Sequence, residues 1–155
     1  MKIITTLCLL GLAFSGYAQT SSDEVKLLQQ LYGMEKREIL NGFIQFDEND
    51  DKTAFWEVYD EYEETRKAQA ADRFRLLEQY VNDYLTMDEE ELDGLLSESI
   101  KMRQAHEKLV AKYTKKLKKV TGVKQAAQFY QIENYLHGAI TTSLAEQIPF
   151  IGELD

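Results

Sequence analysis

Apolar residues along this chain recur every three or four positions, the spacing that places them on one face of an α-helix. A first helix is predicted from about Glu24 to Asn41, and Gly42 is expected to end it. Ser21 lies three residues before Glu24, which is the spacing of a capping box. A polar turn, residues 47–51, then separates this helix from the next one.

The second helix is predicted to be long, from Asp51 or Thr53 to about Leu85. Its middle, from Arg66 to Arg75, is rich in alanine and charge, so this part either projects past the core or bends. The apolar stripe of this helix consists of Phe55, Tyr59, Tyr62, Leu77, Tyr80 and Tyr84.

A third helix is predicted to open at Asp88, with Glu91 at the reciprocal capping position. A fourth helix follows Gly122 and ends before Pro149. No segment alternates apolar and polar residues between turn signals, as an exposed strand would. The sequence therefore predicts an all-α fold of about four helices, a long-helix hairpin or bundle.

Two aromatic phrases, Thr53–Tyr62 and Ala127–Tyr135, resemble each other, and their alignment matches Phe55 with Phe129. Such a similarity is compatible with two similar halves, as in a duplicated helical hairpin. Core aromatics at ordinary helical spacing produce the same pattern. The sequence leaves both interpretations open.

Residues 1–18 have the pattern of a signal peptide: Lys2, an apolar stretch from Ile3 to Phe14, then small residues before Gln19. The apolar stretch is about a dozen residues, whereas a bilayer-spanning helix needs roughly 20. We therefore expect an exported protein, periplasmic or secreted, without a stable membrane anchor. The rest of the chain, residues 19–155, is expected to form a single helical domain.

Composition excludes several classes of protein. Cys8, the single cysteine, lies inside the predicted signal, so disulfide and thiol chemistry are not expected in the mature chain. The formal net charge of −9 disfavours nucleic acid as a partner and favours solubility. No serine, histidine and carboxylate set or phosphate-binding glycine loop is recognisable, so neither an enzyme nor a cofactor is predicted.

Metal binding has little support in the sequence. Asp47 begins a partial calcium-loop pattern, but Lys52 stands where the loop needs glycine and Val58 where it needs glutamate. His106 and His137 show no zinc-helix spacing, and a structural role is expected for each. A metal sensor built from both histidines and nearby glutamates requires the fold to bring them together.

Three phrases carry a resemblance to known proteins: Ala54–Glu63, Gln125–Asn134 and Leu144–Pro149. They resemble secreted or periplasmic bacterial helical proteins whose layout is similar to that of the Spy/CpxP family. The Leu-Thr-x-x-Gln signature of that family is matched only in part, since Leu85-Thr86 is followed by Glu89. The resemblance implies long helices, an often dimeric body and a role as a chaperone or adaptor in envelope stress.

The sequence therefore leaves two main functions open. The chain is either a non-enzymatic chaperone that holds unfolded clients or a structural or regulatory protein that docks on one envelope partner, with a homodimer left open. The metal sensor is the third alternative. The residues predicted to contact a client or partner are Phe55, Trp56, Tyr59, Tyr62, Phe129 and Tyr130.

Overall fold

The computed structural model describes residues 35–47, 52–146 and 148, all within one compact unit. These residues contain no β-strand, so the all-α prediction is confirmed for them. The predicted signal peptide and the Ser21–Glu24 capping box lie outside this part of the chain. The helical stretches are α1 (residues 35–43), α2 (Lys52–Asp83), α3 (Glu89–Thr121) and α4 (Val123–Ala145).

The helix ends differ from the predicted ones by a few residues. Gly42 does not end α1, because it has no positive φ and the helix continues to Phe43. α2 runs as one helix through Arg66–Arg75, since alanine and long charged side chains favour helix. α4 stops at Ala145, before the predicted limit at Pro149.

The predicted capping box at the start of α3 is confirmed. The Asp88 carboxylate accepts a hydrogen bond of 2.9 Å from the backbone N–H of Glu91, and the Asp88 N–H donates one of 3.0 Å to the Glu91 carboxylate. Acidic residues occupy the first turn of α3, while Lys118 and Lys119 occupy its last turn. Both ends therefore complement the helix dipole.

A single residue, Gly122, joins α3 to α4. Its φ of 92° and ψ of −177° lie in a region open essentially to glycine alone, because a β-carbon would clash with the backbone. The sharp turn makes the two helices antiparallel, and it brings His106 level with His137, whose ring centroids are 3.8 Å apart. The sequence thus places a glycine where the fold needs one.

The core forms where α3 packs against both α2 and α4. Tyr62 of α2 meets Tyr113 of α3 and Phe129 of α4, with ring centroids 5.5 Å and 5.1 Å away. α1 completes this end of the bundle, because Leu40 and the following Ile44 are buried in the same core. Four helical segments therefore surround one aromatic centre.

The α2–α3 hairpin extends beyond the end of α4. After His137, α4 continues for eight residues, about 12 Å, so α3 residues before about Glu98 have no α4 neighbour. Among the described residues, no helix is both long enough and apolar enough to cross a bilayer. Five apolar side chains of the α2–α3 hairpin are exposed. Val81, Leu85 and Leu96 lie on the extending part, whereas Phe74 and Ile100 lie level with the last turns of α4.

Candidate functional site

Four of the six aromatic residues predicted to contact a partner lie in the core. Phe55, Tyr59, Tyr62 and Phe129 are almost completely buried, and their rings contact one another edge-on or stacked. Edge-to-face packing of this kind stabilises a core beyond the area it buries. These four side chains are unavailable to a partner while the bundle is closed.

The other two aromatic residues reach the surface. Trp56 is partly buried beside Phe55, with the Arg37 guanidinium 4.3 Å from the centre of its ring. Tyr130 points away from the core and is 51% exposed. A partner contact through Trp56 and Tyr130 stays a prediction.

The most distinctive chemical feature among the described residues is the buried ammonium group of Lys36, which belongs to α1. We call it and its surroundings the ammonium site. Lys36 is only 2% exposed, and its Nζ donates hydrogen bonds of 2.7 Å to Glu63 Oε1 and 2.7 Å to Glu133 Oε2. The same Nζ lies 5.0 Å from the ring centre of Tyr62 and 5.7 Å from that of Tyr59. Two carboxylates and two aromatic rings therefore enclose one ammonium group, a setting in which cation–π attraction is strengthened by desolvation.

Further hydrogen bonds fix both carboxylates of this site. Arg66 donates to both oxygens of Glu63, over 2.7 Å and 2.9 Å, and the Tyr62 hydroxyl donates to Glu133 Oε2 over 2.6 Å. The two acids and two bases of the cluster balance in charge. Such balance is needed because an unpaired buried charge is strongly destabilising.

The two carboxyl groups respond differently to burial. Burial acts to raise the pKa of Glu63, but Lys36 and Arg66 outweigh it and the pKa is lowered. Burial also raises the pKa of Glu133, and there it exceeds the opposing effect of Lys36. Glu133 is thus the more weakly compensated of the two acids.

The site retains unused hydrogen-bonding capacity. Within the described part of the chain, Glu133 Oε1 is buried without a hydrogen-bond partner. Each such group is costly to leave unsatisfied inside a protein. Lys36 uses two of its three N–H donors on the carboxylates.

A second polar layer lies along the bundle around the stacked His106 and His137. Burial lowers the pKa of His106 to about 4, helped by His137 and by nearby cationic residues. Burial likewise lowers the pKa of His137, with Arg73 adding to the effect. Arg73 also donates a hydrogen bond of 3.3 Å to the Thr141 hydroxyl, which joins α2 to α4.

The fold brings the two histidines together, as the metal-sensor alternative required, but it supplies no complete ligand set. Among the residues that the structure describes, no group of three or more histidine, cysteine, aspartate or glutamate side chains could hold a metal ion. Residues 48–51 of the partial calcium loop that starts at Asp47 lie outside the described residues. The metal-sensor alternative therefore stays a prediction.

An open groove of about 460 Å³ runs between α2 and α3 on the extending hairpin. Exposed i,i+3 ion pairs border it on both helices, Asp72 with Arg75 and Glu98 with Lys101. Its floor is formed by Leu76 and Met102 among others. It is a shallow surface feature without converging catalytic groups.

Comparison with known proteins adds no assignment: the chain matches no protein-family model, no curated protein and no solved structure.

Sequence reasoning missed the buried ammonium site. One signal was available, since Lys36 precedes Leu40 and Ile44 by four and eight residues and so lies on their apolar stripe. Glu133 likewise follows Phe129 by four residues. A charged residue on an apolar stripe indicates either an edge position or a buried pair, and its partner is not visible in the sequence.

Proposed function

We propose that this chain is a non-enzymatic exported helical protein that docks on one specific protein partner of the bacterial envelope. The observation that carries this proposal is a group of five apolar side chains that are exposed on the α2–α3 hairpin, both on its extending part and beside the end of α4. Isolated apolar residues on a surface are ordinary, but a group on one projecting element is typical of an interaction site. We call this group, Phe74, Val81, Leu85, Leu96 and Ile100, the hairpin patch.

The composition of the hairpin patch indicates the kind of partner it suits. Aliphatic side chains dominate it, and the first turn of α3 beside it carries Glu89, Glu90 and Glu91. A partner that complements this surface presents an apolar depression with basic residues at its rim. Electrostatic complementarity of this type guides the choice of partner and its association rate more than the final affinity.

The core supports a single, specific partner over a broad set of clients. The aromatic residues that a promiscuous binder would need at its surface are packed into the core instead, around Tyr62 and Phe129. The buried ion cluster at Lys36 ties α1, α2 and α4 together in one arrangement. Promiscuous binders use adaptable surfaces, and this end of the protein is not one.

Site-specific photo-crosslinking in intact cells tests the proposal. A photoreactive residue placed at Leu85 or Leu96 is expected to give one discrete adduct, and the same residue at exposed Gln131 of α4 is the matched control. The Ile100→Asp variant is expected to abolish the adduct without lowering the melting temperature, because Ile100 is exposed. If Leu85 and Gln131 give the same adducts, or neither gives any, the hairpin patch is not the docking site.

A holdase function is the second candidate, favoured by the exposed apolar side chains of the hairpin patch. A shallow apolar surface accepts extended segments of many unfolded proteins. This function predicts many adducts from Leu85 in place of one. It also predicts that the full chain suppresses light scattering by a heat-denatured client and that the Ile100→Asp variant does so less well.

A further inference from the structure

We infer that the outward face of α3 is a binding surface for anionic lipid headgroups, and that the turn at Gly122 is the end of the protein that meets the membrane. The contact is peripheral: side chains meet the headgroups, and no helix enters the bilayer core. It uses residues outside the hairpin patch, so the inference does not depend on the function proposed above.

The first part of the argument is a row of lysines on α3. Four exposed lysines follow one another at intervals of four, three and four residues, and we call them the basic stripe: Lys108, Lys112, Lys115 and Lys119. This spacing places them on one face of the helix, along about 17 Å of its length. The buried residues of α3, Leu117 among them, lie on the opposite side. The basic stripe therefore points away from the core.

The second part is the shortage of negative charge around the basic stripe. Residues 99–121 contain eight basic residues and one acidic residue, although the whole chain has a formal net charge of −9. The acidic residue, Glu107, lies about 100° round the helix from Lys108. The nearby carboxylate of Glu61 in α2 is engaged by Lys116, which is not part of the stripe. One face of an acidic protein thus carries charge of the opposite sign.

The third part is that the fold does not account for this arrangement. Within the described part of the chain, no lysine of the basic stripe belongs to an ion pair. Like charges three or four positions apart repel each other and destabilise a helix. The helix dipole favours cations in the last turn alone, and Lys112 lies nine residues before Thr121, where α3 ends. An external anionic surface offsets this repulsion.

Two features favour a lipid surface over an acidic protein, and the first is the choice of lysine. The basic stripe contains no arginine, and the last arginine of the chain is Arg103. Arginine is enriched in protein interfaces and lysine is depleted there, because a guanidinium group can form paired hydrogen bonds with a carboxylate. Lysine acts as a compact point charge, and each lysine near an anionic membrane surface adds to the attraction.

The second feature is a pair of exposed valines at the end of the basic stripe. Val120 and Val123 lie on either side of the Gly122 turn and are 41% and 64% exposed. Apolar side chains next to basic ones favour the boundary between headgroups and acyl chains. Lys124 follows them and lies 3.6 Å from Asp47, so its charge is used within the protein. The turn therefore offers the membrane an apolar tip beside the lysines.

Sedimentation of the full chain with lipid vesicles tests this inference. We expect the unmodified protein to bind vesicles of phosphatidylglycerol and phosphatidylcholine in equal parts, and to bind less as salt is added, because salt screens exposed charges. Replacing both Lys112 and Lys115 by glutamine is expected to lower the partition coefficient at least about tenfold. Circular dichroism should show an unchanged helix content, since both side chains are exposed.

The matched control replaces Arg75 and Arg103 by glutamine, which removes two positive charges from exposed positions off the basic stripe. Its partition coefficient is expected to stay within about twofold of that of the unmodified protein, because charges away from the contact are screened. The predicted signal peptide is present in all three proteins, so its own affinity for lipid cancels in the comparison. Equal losses in both variants, no loss in the stripe variant, or equal binding to vesicles of phosphatidylcholine alone overturns the inference, and the stripe then serves an acidic protein or solvation.

Tryptophan quenching by bromine-labelled phosphatidylglycerol tests the part played by the tip. A tryptophan that enters the bilayer is quenched, so we expect quenching in the Val123→Trp variant. Tyr135→Trp is the matched control, because Tyr135 is also exposed on α4 but lies 12 residues, about 18 Å, further along the helix. Trp56 gives the same background in both variants. Equal quenching of the two, or none above that background, overturns the inference, because the membrane is then not met at this end of the protein.

Discussion

The imidazole rings of His106 in α3 and His137 in α4 stack 3.8 Å apart, at an interplanar angle of 19°. Two protonated rings at this distance would repel each other, and Arg66 and Arg73 add to the cost of a positive charge there. Glu107 opposes this effect only at His137. The folded protein therefore holds both rings neutral at neutral pH.

The first prediction is that acid destabilises the protein through this pair. Each histidine has a folded pKa below its ordinary value of 6.5, so the unfolded chain binds more protons. Stability is complete above pH 6.5 and falls as pH drops from 6.5 towards 4. Allowing for partial solvent screening, we expect a loss of about 1 kcal/mol in the free energy of unfolding between pH 7 and 5. Urea titrations at the two pH values measure it.

The control for this prediction is the double variant His106→Phe and His137→Phe, which keeps two stacked rings without a titrating group. Its free energy of unfolding is expected to change much less between pH 7 and 5. If the free energy of unfolding of the variant falls by the same amount, the acid sensitivity comes from the carboxylates. The histidine pair would then have no part in it.

The second prediction concerns Gly122, the one residue between α3 and α4. With a φ of 92° and a ψ of −177°, a Gly122→Ala variant must adopt strained backbone, and we expect a loss of about 1–3 kcal/mol. Gly138 provides the matched control, because it is helical and a β-carbon there meets nothing within 4 Å. Gly138→Ala is expected to stabilise the protein by about 0.5–1 kcal/mol. Thermal denaturation measures the change in melting temperature of both variants. A change of the same sign in the two variants would contradict this prediction.

The third prediction concerns the capping box at the start of α3. Replacing Asp88 by alanine removes the acceptor for the Glu91 N–H, and we expect a loss of about 1 kcal/mol in the free energy of unfolding. The exposed Asp93, further along the same helix, is the matched control for loss of a negative charge. Urea denaturation should show Asp93→Ala close to the unmodified protein. Equal effects of the two substitutions would mean that charge, and not the cap, determines the loss.

The sequence predicted the helices well because their causes are local. The apolar spacing around Phe55 and Phe129 and the capping pair Asp88 and Glu91 act within one or two turns. Gly122 was correctly placed between two helices for the same reason. The helix ends were less accurate, as Gly42 shows, because glycine is tolerated in a helix whose neighbours pack well.

The ammonium site could not be predicted in this way. Lys36 is separated from Glu63 by 27 residues and from Glu133 by 97, so their pairing depends on how three helices meet. The stacking of His106 on His137 depends in the same way on the turn at Gly122. The surface role expected for Tyr59 and Tyr62 rested on the family resemblance and on aromatic residues beside charged ones, and aromatic residues suit a core equally well.

The last prediction uses the neighbouring cations Lys36 and Arg37, which belong to the same helix but to different environments. Lys36 is buried between Glu63 and Glu133, whereas Arg37 pairs with Asp60 at the surface and lies over Trp56. Lys36→Met leaves Glu133 buried with no cation beside it, and we expect a loss of about 3–5 kcal/mol at pH 7. Arg37→Met is expected to cost about 1 kcal/mol, since solvent screens an exposed pair.

The pH dependence of the Lys36→Met variant separates charge from packing. Without Lys36, the pKa of Glu133 rises further in the folded state, so the folded protein takes up a proton at a higher pH than the unfolded chain. The deficit relative to the unmodified protein should therefore shrink as pH falls from 7 towards 5, and urea titrations at both pH values measure it. The double variant Lys36→Met and Glu133→Gln has no such carboxyl, and its deficit should not depend on pH in this range. A deficit that stays constant with pH in the single variant as well would show that α1 docks by apolar packing, and that the ammonium contributes little.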